Sequence, residues 1–324
     1  MAGRLMIGAL LAAVCVGASQ ADAAEPLYNN LKWDVGIREV YLPGLKQPDV
    51  WTAAKAIGVR RLEVVVDKDL ACPRLYEGRA KPYRIDTPAN RKKLSHALKK
   101  HGIEISCFCA VIGGKDAPND GHVEWITRAT EAAAEMKVPV IMMPLGYRAE
   151  SDEAYIAKSI RFLKALVPVA KRTGVQLTVE NLGHYLNRHE IIVPIMKGVP
   201  TDQVGLANDI TNMYWFGHPI DTIYDLAKAV APYVRYVHVK NIKYPSDKRT
   251  VQRKPGWKYR EYAEPVRTGD VDFRRIIGIY AAAGFKGDLT IEDDCLGKFD
   301  AEGKRKVLID DVKLLREIIK EVDK

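Results

Sequence analysis

Three acids and one imidazole close four successive apolar, β-branched runs in the second half of the chain. Glu180 follows VQLTV, Asp209 follows VGLAN, His238 sits in VRYVHV and Glu292 follows GDLTI. Alternate side chains of an extended segment share a face. That parity groups Gln176, Thr178 and Glu180; Ala207 and Asp209; Tyr236, His238 and Lys240; and Thr290, Glu292 and Asp294. On neighbouring strands about 4.8 Å apart that curve round a barrel, the four end groups would converge on one point. Three carboxylates around one imidazole carry an excess of negative charge that a divalent cation relieves. The oxygen-rich set suits one Mn2+ best, with Mg2+, Co2+ or Zn2+ as alternatives. Singly, each residue has an ordinary role, a salt-bridge partner or a hydrogen-bonded core histidine. One per strand with matching parity, they point to a metal.

These segments belong to a longer rhythm. Short β-branched runs at 32–40, 59–67, 103–112, 139–145, 175–181, 204–210, 234–241 and 287–293 alternate with stretches of helical period. The helical stretches are 48–57, 87–101, 123–137, 152–173, 188–198, 219–231, 270–283 and 301–323. Gly58, Gly102, Gly174 and Gly284 stop four of them where a left-handed C-cap favours glycine. Eight such units predict an α/β fold, a single (β/α)8 TIM barrel, whose chemistry sits at the carboxyl ends of the strands. A doubly wound sheet is the rival, but no G-x-G-x-x-G phosphate turn is found.

The 324 residues are 47% hydrophobic and 28% charged with five cysteines, which excludes a disordered chain, a collagen-like fibre and a disulfide scaffold. The net charge of +9 favours an acidic partner or substrate without choosing one. Arg4, an apolar run at 5–18 and Ala21-Asp22-Ala23 read as a secretory signal peptide over 1–23, leaving 24–324 as the barrel domain. An exported protein, periplasmic or secreted, is therefore expected. A membrane anchor is the rival, but the run is shorter than the ~20 apolar residues of a span, so no stable membrane insertion is expected. Cys72, Cys107, Cys109 and Cys295 remain after the leader, where export would permit pairing that no spacing demands; Cys107 and Cys109, on one face of a strand pattern, read as buried free thiols.

On VENLGH at 179–184, NDITN at 208–212, VHVKN at 237–241, TGDVDF at 268–273 and TIEDD at 290–294, the chain resembles the xylose isomerase-like barrels. That group holds sugar-phosphate isomerases and epimerases, tagatose and psicose 3-epimerases among them. The resemblance implies that Glu180, Asp209, His238 and Glu292 bind one divalent metal and that Glu180 and Glu292 double as an acid/base pair. Two positions depart from the pattern. The ketose epimerases carry D-x-x-H on strand six, where this chain has Asn212, and strand seven commonly reads H-x-K-D, where this chain ends in Asn241. Both bear on the substrate rather than the metal.

The expected chemistry is proton abstraction next to a carbonyl, through an enediolate that the metal stabilises. Return of the proton from the opposite side epimerises; return to the neighbouring carbon isomerises. Lys240 would steady an oxyanion or pair with a carboxylate. His184 and Asn212 would contact substrate or support the ligands, and Glu63 and Asp67 would bind substrate hydroxyls, with packing as the alternative. The long basic segment 243–268 would form a lid in which Trp257 and its neighbouring tyrosines face a sugar, unless it is a solvated or oligomer-contacting loop. The expected partner is a small-molecule sugar or glycoside, anionic in one reading; a homo-oligomer is compatible with the sequence. Nucleic acid is not expected. The abasic-site endonucleases that share this barrel need several histidines for a zinc cluster, and only His238, with His184, lies near a strand end here. Rival functions are a metal-dependent lyase or hydratase acting on 3-keto-glycosides and a carbohydrate-binding barrel without turnover.

Overall fold

Each apolar run pairs with the next through a helical crossover, and the pairing closes on itself. The computed structural model describes residues 25–76, 81–113 and 117–324; the leader expected at 1–23 lies outside them. Strands β1 (Asp34–Arg38), β2 (Arg61–Val65), β3 (Glu104–Cys109), β4 (Val140–Gly146), β5 (Gln176–Glu180), β6 (Val204–Asp209), β7 (Val234–Val239) and β8 (Asp288–Ile291) are parallel neighbours in chain order. β8 returns to β1 through Val35↔Leu289 and Ile37↔Ile291. The α-helices longer than one turn are α1 (Val50–Ala56), α2 (Pro88–His101), α3 (Asp120–Glu135), α4 (Asp152–Thr173), α5 (His189–Gly198), α6 (Ile210–Phe216), α7 (Ile220–Val230), α8 (Phe273–Ala282) and α9 (Ala301–Val322). All but α6 form the outer ring of the expected (β/α)8 barrel.

Side-chain parity splits the interior in two. Leu177, Val179, Leu206, Val237, Val239, Leu289 and Ile291 belong to the large core between sheet and helices. The opposite parity fills the lumen, where Cys107, Cys109, Val140, Met142, Ala207 and Tyr236 make a separate buried cluster. Thr290 donates to the Tyr236 hydroxyl across it at 2.7 Å. The lumen is thus packed, and a ligand can meet the barrel only at its ends. Cys72, Cys107, Cys109 and Cys295 are all buried and free.

Helix ends follow local chemistry. Thr87 caps α2 with Pro88 at its first position. Gly174 ends α4 at φ +69°, and a Cβ there would lie 2.5 Å from the Glu25 carbonyl, so two constraints require glycine. The helix α6 falls outside the expected set because it is short and buried almost all round, which erases the helical period. The segment after β7 is built rather than loose. Asn241 and Ile242 pair antiparallel with Glu264 and Ala263, and Arg253 lies between the rings of Tyr214 and Tyr244, 4.5 and 4.3 Å from their centroids.

Candidate metal centre

The strand ends bring four side chains to one place. Glu180 and Asp209 are the last residues of β5 and β6. His238 is the register partner of Asp209 across β6 and β7. Glu292 follows β8, held by its amide donating to the Val239 carbonyl at 3.0 Å. All four are buried, and one donor atom from each lies within 4.8 Å of the others. His238 Nδ1 stands 3.2 Å from Glu292 Oε2 and 3.5 Å from Glu180 Oε1. Asp209 is set by its own fold: Oδ1 caps α6, accepting from Thr211 N at 2.9 Å and Asn212 N at 3.2 Å. Its backbone is clamped by Asn181, whose amide donates to Asp209 O at 2.7 Å and accepts from Asp209 N at 2.6 Å. Oδ2 is left facing the mouth.

Two cations and a fourth carboxylate complete the cluster. His238 Nε2 lies 2.5 Å from Glu63 Oε2, and Glu63 Oε1 pairs with Arg38 Nε at 2.8 Å. The same guanidinium reaches Glu292 Oε1 through Nη1. Lys240 Nζ sits 2.9 Å from Asp209 Oδ2, 3.2 Å from Glu292 Oε2 and 3.5 Å from Asp294 Oδ2. Burial pushes the Glu292 carboxyl up, but Lys240, His238 and Arg38 together hold it well below the carboxylate range. Burial opposes charge on His238 and is overcome by Glu63 and Glu292, so the imidazole lies well above its ordinary value.

A divalent cation fits this donor set. An ion bound at Nδ1 displaces the proton there and leaves His238 neutral; the four buried carboxylates Glu63, Glu180, Asp209 and Glu292, set against Arg38 and Lys240, then leave two negative charges. Glu63 Oε2 accepts a hydrogen bond from Nε2 and so keeps a proton on that nitrogen, leaving Nδ1 as the one that can bind a metal. Nδ1 is buried and faces two carboxylates, 3.2 Å from Glu292 and 3.5 Å from Glu180, a setting in which a metal ion can replace its proton. Glu180, Asp209, Glu292 and His238 Nδ1 would hold the ion, and the mixed oxygen–nitrogen set does not choose among Mn2+, Mg2+, Co2+ and Zn2+.

The remaining expected residues are placed unevenly. Asn212 sits in the first turn of α6, 4% exposed, with its Nδ2 unpartnered. Lys240 faces inward as parity predicts. His184 is exposed at the rim against Phe216, ring centroids 5.6 Å apart. Glu63 does not reach the mouth: it is fully buried beneath His238 with both oxygens engaged. Asp67 lies past the end of β2, and its Oδ1 accepts from Ala71 N and Asp69 N in a turn. Trp257 stacks on Tyr262 at 5.6 Å rather than over the four ligands. The ring from that segment that does reach the mouth is Tyr259. Asp294 accepts from Tyr41 OH at 2.9 Å and Tyr259 OH at 2.5 Å, a clasp over Lys240. Much of the basic charge meant for an anion is already engaged, Arg249 by Asp270, Lys258 by Glu261 and Lys248 by Asp247. Arg38 and Tyr41 escaped the sequence reading; inward parity on β1 was the available signal for Arg38.

A family model of xylose isomerase-like TIM barrels matches residues 51–318. Solved structures share the fold at low identity. A xylose isomerase-like TIM barrel protein from Mycobacterium smegmatis in complex with magnesium superposes with a TM-score of 0.64 at 13% identity, over 91% of this chain and 98% of that one. D-psicose 3-epimerase with D-tagatose from Clostridium cellulolyticum H10 gives 0.62 at 14%, over 89% and 99%. The apo form of 3-keto-D-glucoside 4-epimerase from E. coli gives 0.59 at 17%, over 89% and 99%. No curated protein matches the chain in sequence.

Proposed function

The chain belongs to the xylose isomerase-like TIM barrel family, and from that premise we propose that it is an exported, divalent-metal-dependent sugar isomerase or epimerase. The observation that carries this reading is the convergence of Glu180, Asp209, His238 and Glu292 within 4.8 Å, with the two glutamates flanking the imidazole. A dication bound there, Mn2+ by preference, would polarise a sugar carbonyl and its neighbouring hydroxyl and spread the charge of an enediolate. One glutamate takes the proton from the carbon next to the carbonyl and the other delivers one. Lys240 presents a fixed positive charge to the developing oxyanion, and Asn212 offers an unpartnered amide to a hydroxyl. The clasp of Tyr41, Asp294 and Tyr259 limits water on the β1, β7 and β8 side of the mouth.

β-Elimination on a 3-keto-glycoside is the second reading, favoured by unequal settings of the two glutamates. Glu292 faces Arg38, Lys240 and His238, whereas the described ion pair of Glu180 is His238 at 3.5 Å. One carboxylate with fewer cationic partners suits a one-base reaction. The test is incubation of keto-sugars and 3-keto-glycosides in deuterated water with and without Mn2+. Manganese-dependent deuterium in a recovered sugar supports the isomerase or epimerase, and release of the aglycone supports elimination. No uptake and no release across the set would leave a binding barrel. Export is tested by the mass of protein recovered outside the cytoplasm, expected to begin at residue 24.

A further inference from the structure

The ligand cluster contains two permanent cations, each paired with more than one carboxylate. Arg38 bridges Glu63 and Glu292 with Nε and Nη1 of one guanidinium, and its side chain is 15% exposed. Lys240 joins Asp209 to Glu292 from the other side and is 6% exposed. Both oxygens of Glu292 therefore face a fixed positive charge. Four carboxylates packed in a lumen of low polarity would attract cations strongly and without regard to number. The two resident charges reduce the deficit to that of one dication.

We propose that Arg38 is a resident counter-charge and positioning residue: it holds Glu292 in place and sets the centre to one divalent ion at restrained affinity. This rests on the metal-centre reading above. The planar fork is suited to the task, because one guanidinium can meet two carboxylates, while an ammonium supplies only a point charge. β1 contributes no candidate ligand, and its inward side chain at this level meets Glu63, Glu292 and the Cys109 thiol. Removing the charge without the ion leaves Glu63 and Glu292 closer to mutual repulsion; adding the ion relieves it.

The test uses Mn2+ alone, titrated into the full chain and followed by the electron paramagnetic resonance of the free ion. Wild type is expected to bind one Mn2+. Arg38→Met and Arg38→Gln are expected to bind at least about tenfold more tightly, since a positive charge beside the ligands is gone. Arg38→Lys, which keeps the charge and loses the fork, is expected to stay within about threefold of wild type. Unchanged or weaker binding in the Met and Gln variants overturns the proposal. If either variant is unfolded alone, Mn2+ is expected to restore a cooperative melt by binding the folded state; a melt indifferent to Mn2+ also overturns it. A wild type that binds no Mn2+ refutes the metal centre instead, so the two failures are distinct.

Discussion

Glu63 and His238, 175 residues apart in the chain, meet at 2.5 Å in the barrel lumen. The contact keeps a proton on Nε2 and turns Nδ1 toward Glu180 and Glu292. A carboxylate behind a metal-binding histidine governs affinity without touching the metal.

Replacing Glu63 by Gln therefore weakens Mn2+ binding by about 10- to 100-fold, the usual cost of losing such a carboxylate. An amide can donate to Nε2 and so move the proton to Nδ1, where the metal should sit. Isothermal titration with Mn2+ measures this, and unchanged affinity contradicts the assigned tautomer.

Glu180→Gln and Glu292→Gln keep the size of the side chain and remove its proton chemistry. Each is expected to lower solvent-deuterium uptake into the active sugar by about 10²- to 10⁴-fold, the range for a general acid or base. A variant that keeps full uptake removes that glutamate from the acid/base pair. Loss in Glu180→Gln alone favours the one-base reaction.

The eight strands and their outer helices were legible because the hydrophobic period is a property of each segment alone. The four candidate ligands were legible for the same reason, each closing a strand with inward parity. Depth was not. Parity put Glu63 on the inner face but could not tell that it lies beneath His238, and β2 ends two residues too early for Asp67 to reach the mouth. Arg38 was hidden because its partners on β2 and after β8 become its neighbours only when the barrel closes. Within 243–268 the sequence showed the balance of charge but not its pairing, in which Asp247, Glu261 and Asp270 each take one cation.

Stability is expected to fall with rising pH through Glu39. This carboxyl is fully buried next to Arg38 in sequence and accepts from Val65 N at 2.9 Å, with its second oxygen unpartnered. Burial pushes it up to about 7. The fold prefers the protonated form, so its contribution is whole below the unfolded value and is lost as pH rises through about 7, by up to ~3 kcal/mol. Urea unfolding from about pH 5 to about pH 8 should show this slope in wild type and lose it in Glu39→Gln. Equal slopes would contradict the assignment.

Arg253 anchors the segment after β7, donating to the Tyr214 and His218 carbonyls at 2.9 Å each while its guanidinium lies between Tyr214 and Tyr244. Arg253→Met is expected to cost about 1–3 kcal/mol, chiefly through the His218 carbonyl it leaves unpaired, and to open the segment to limited proteolysis between residues 245 and 258 before the barrel is cut. Wild-type resistance in the variant would show that the pairing of 241–242 with 263–264 suffices.

Crystals soaked in a manganese salt and measured at the manganese edge test the metal centre most directly. One anomalous peak is predicted, bounded by Glu180, Asp209, Glu292 and Nδ1 of His238, and it should vanish in crystals of Asp209→Asn combined with His238→Ala. No peak in wild type, or one away from these four side chains, would contradict the account.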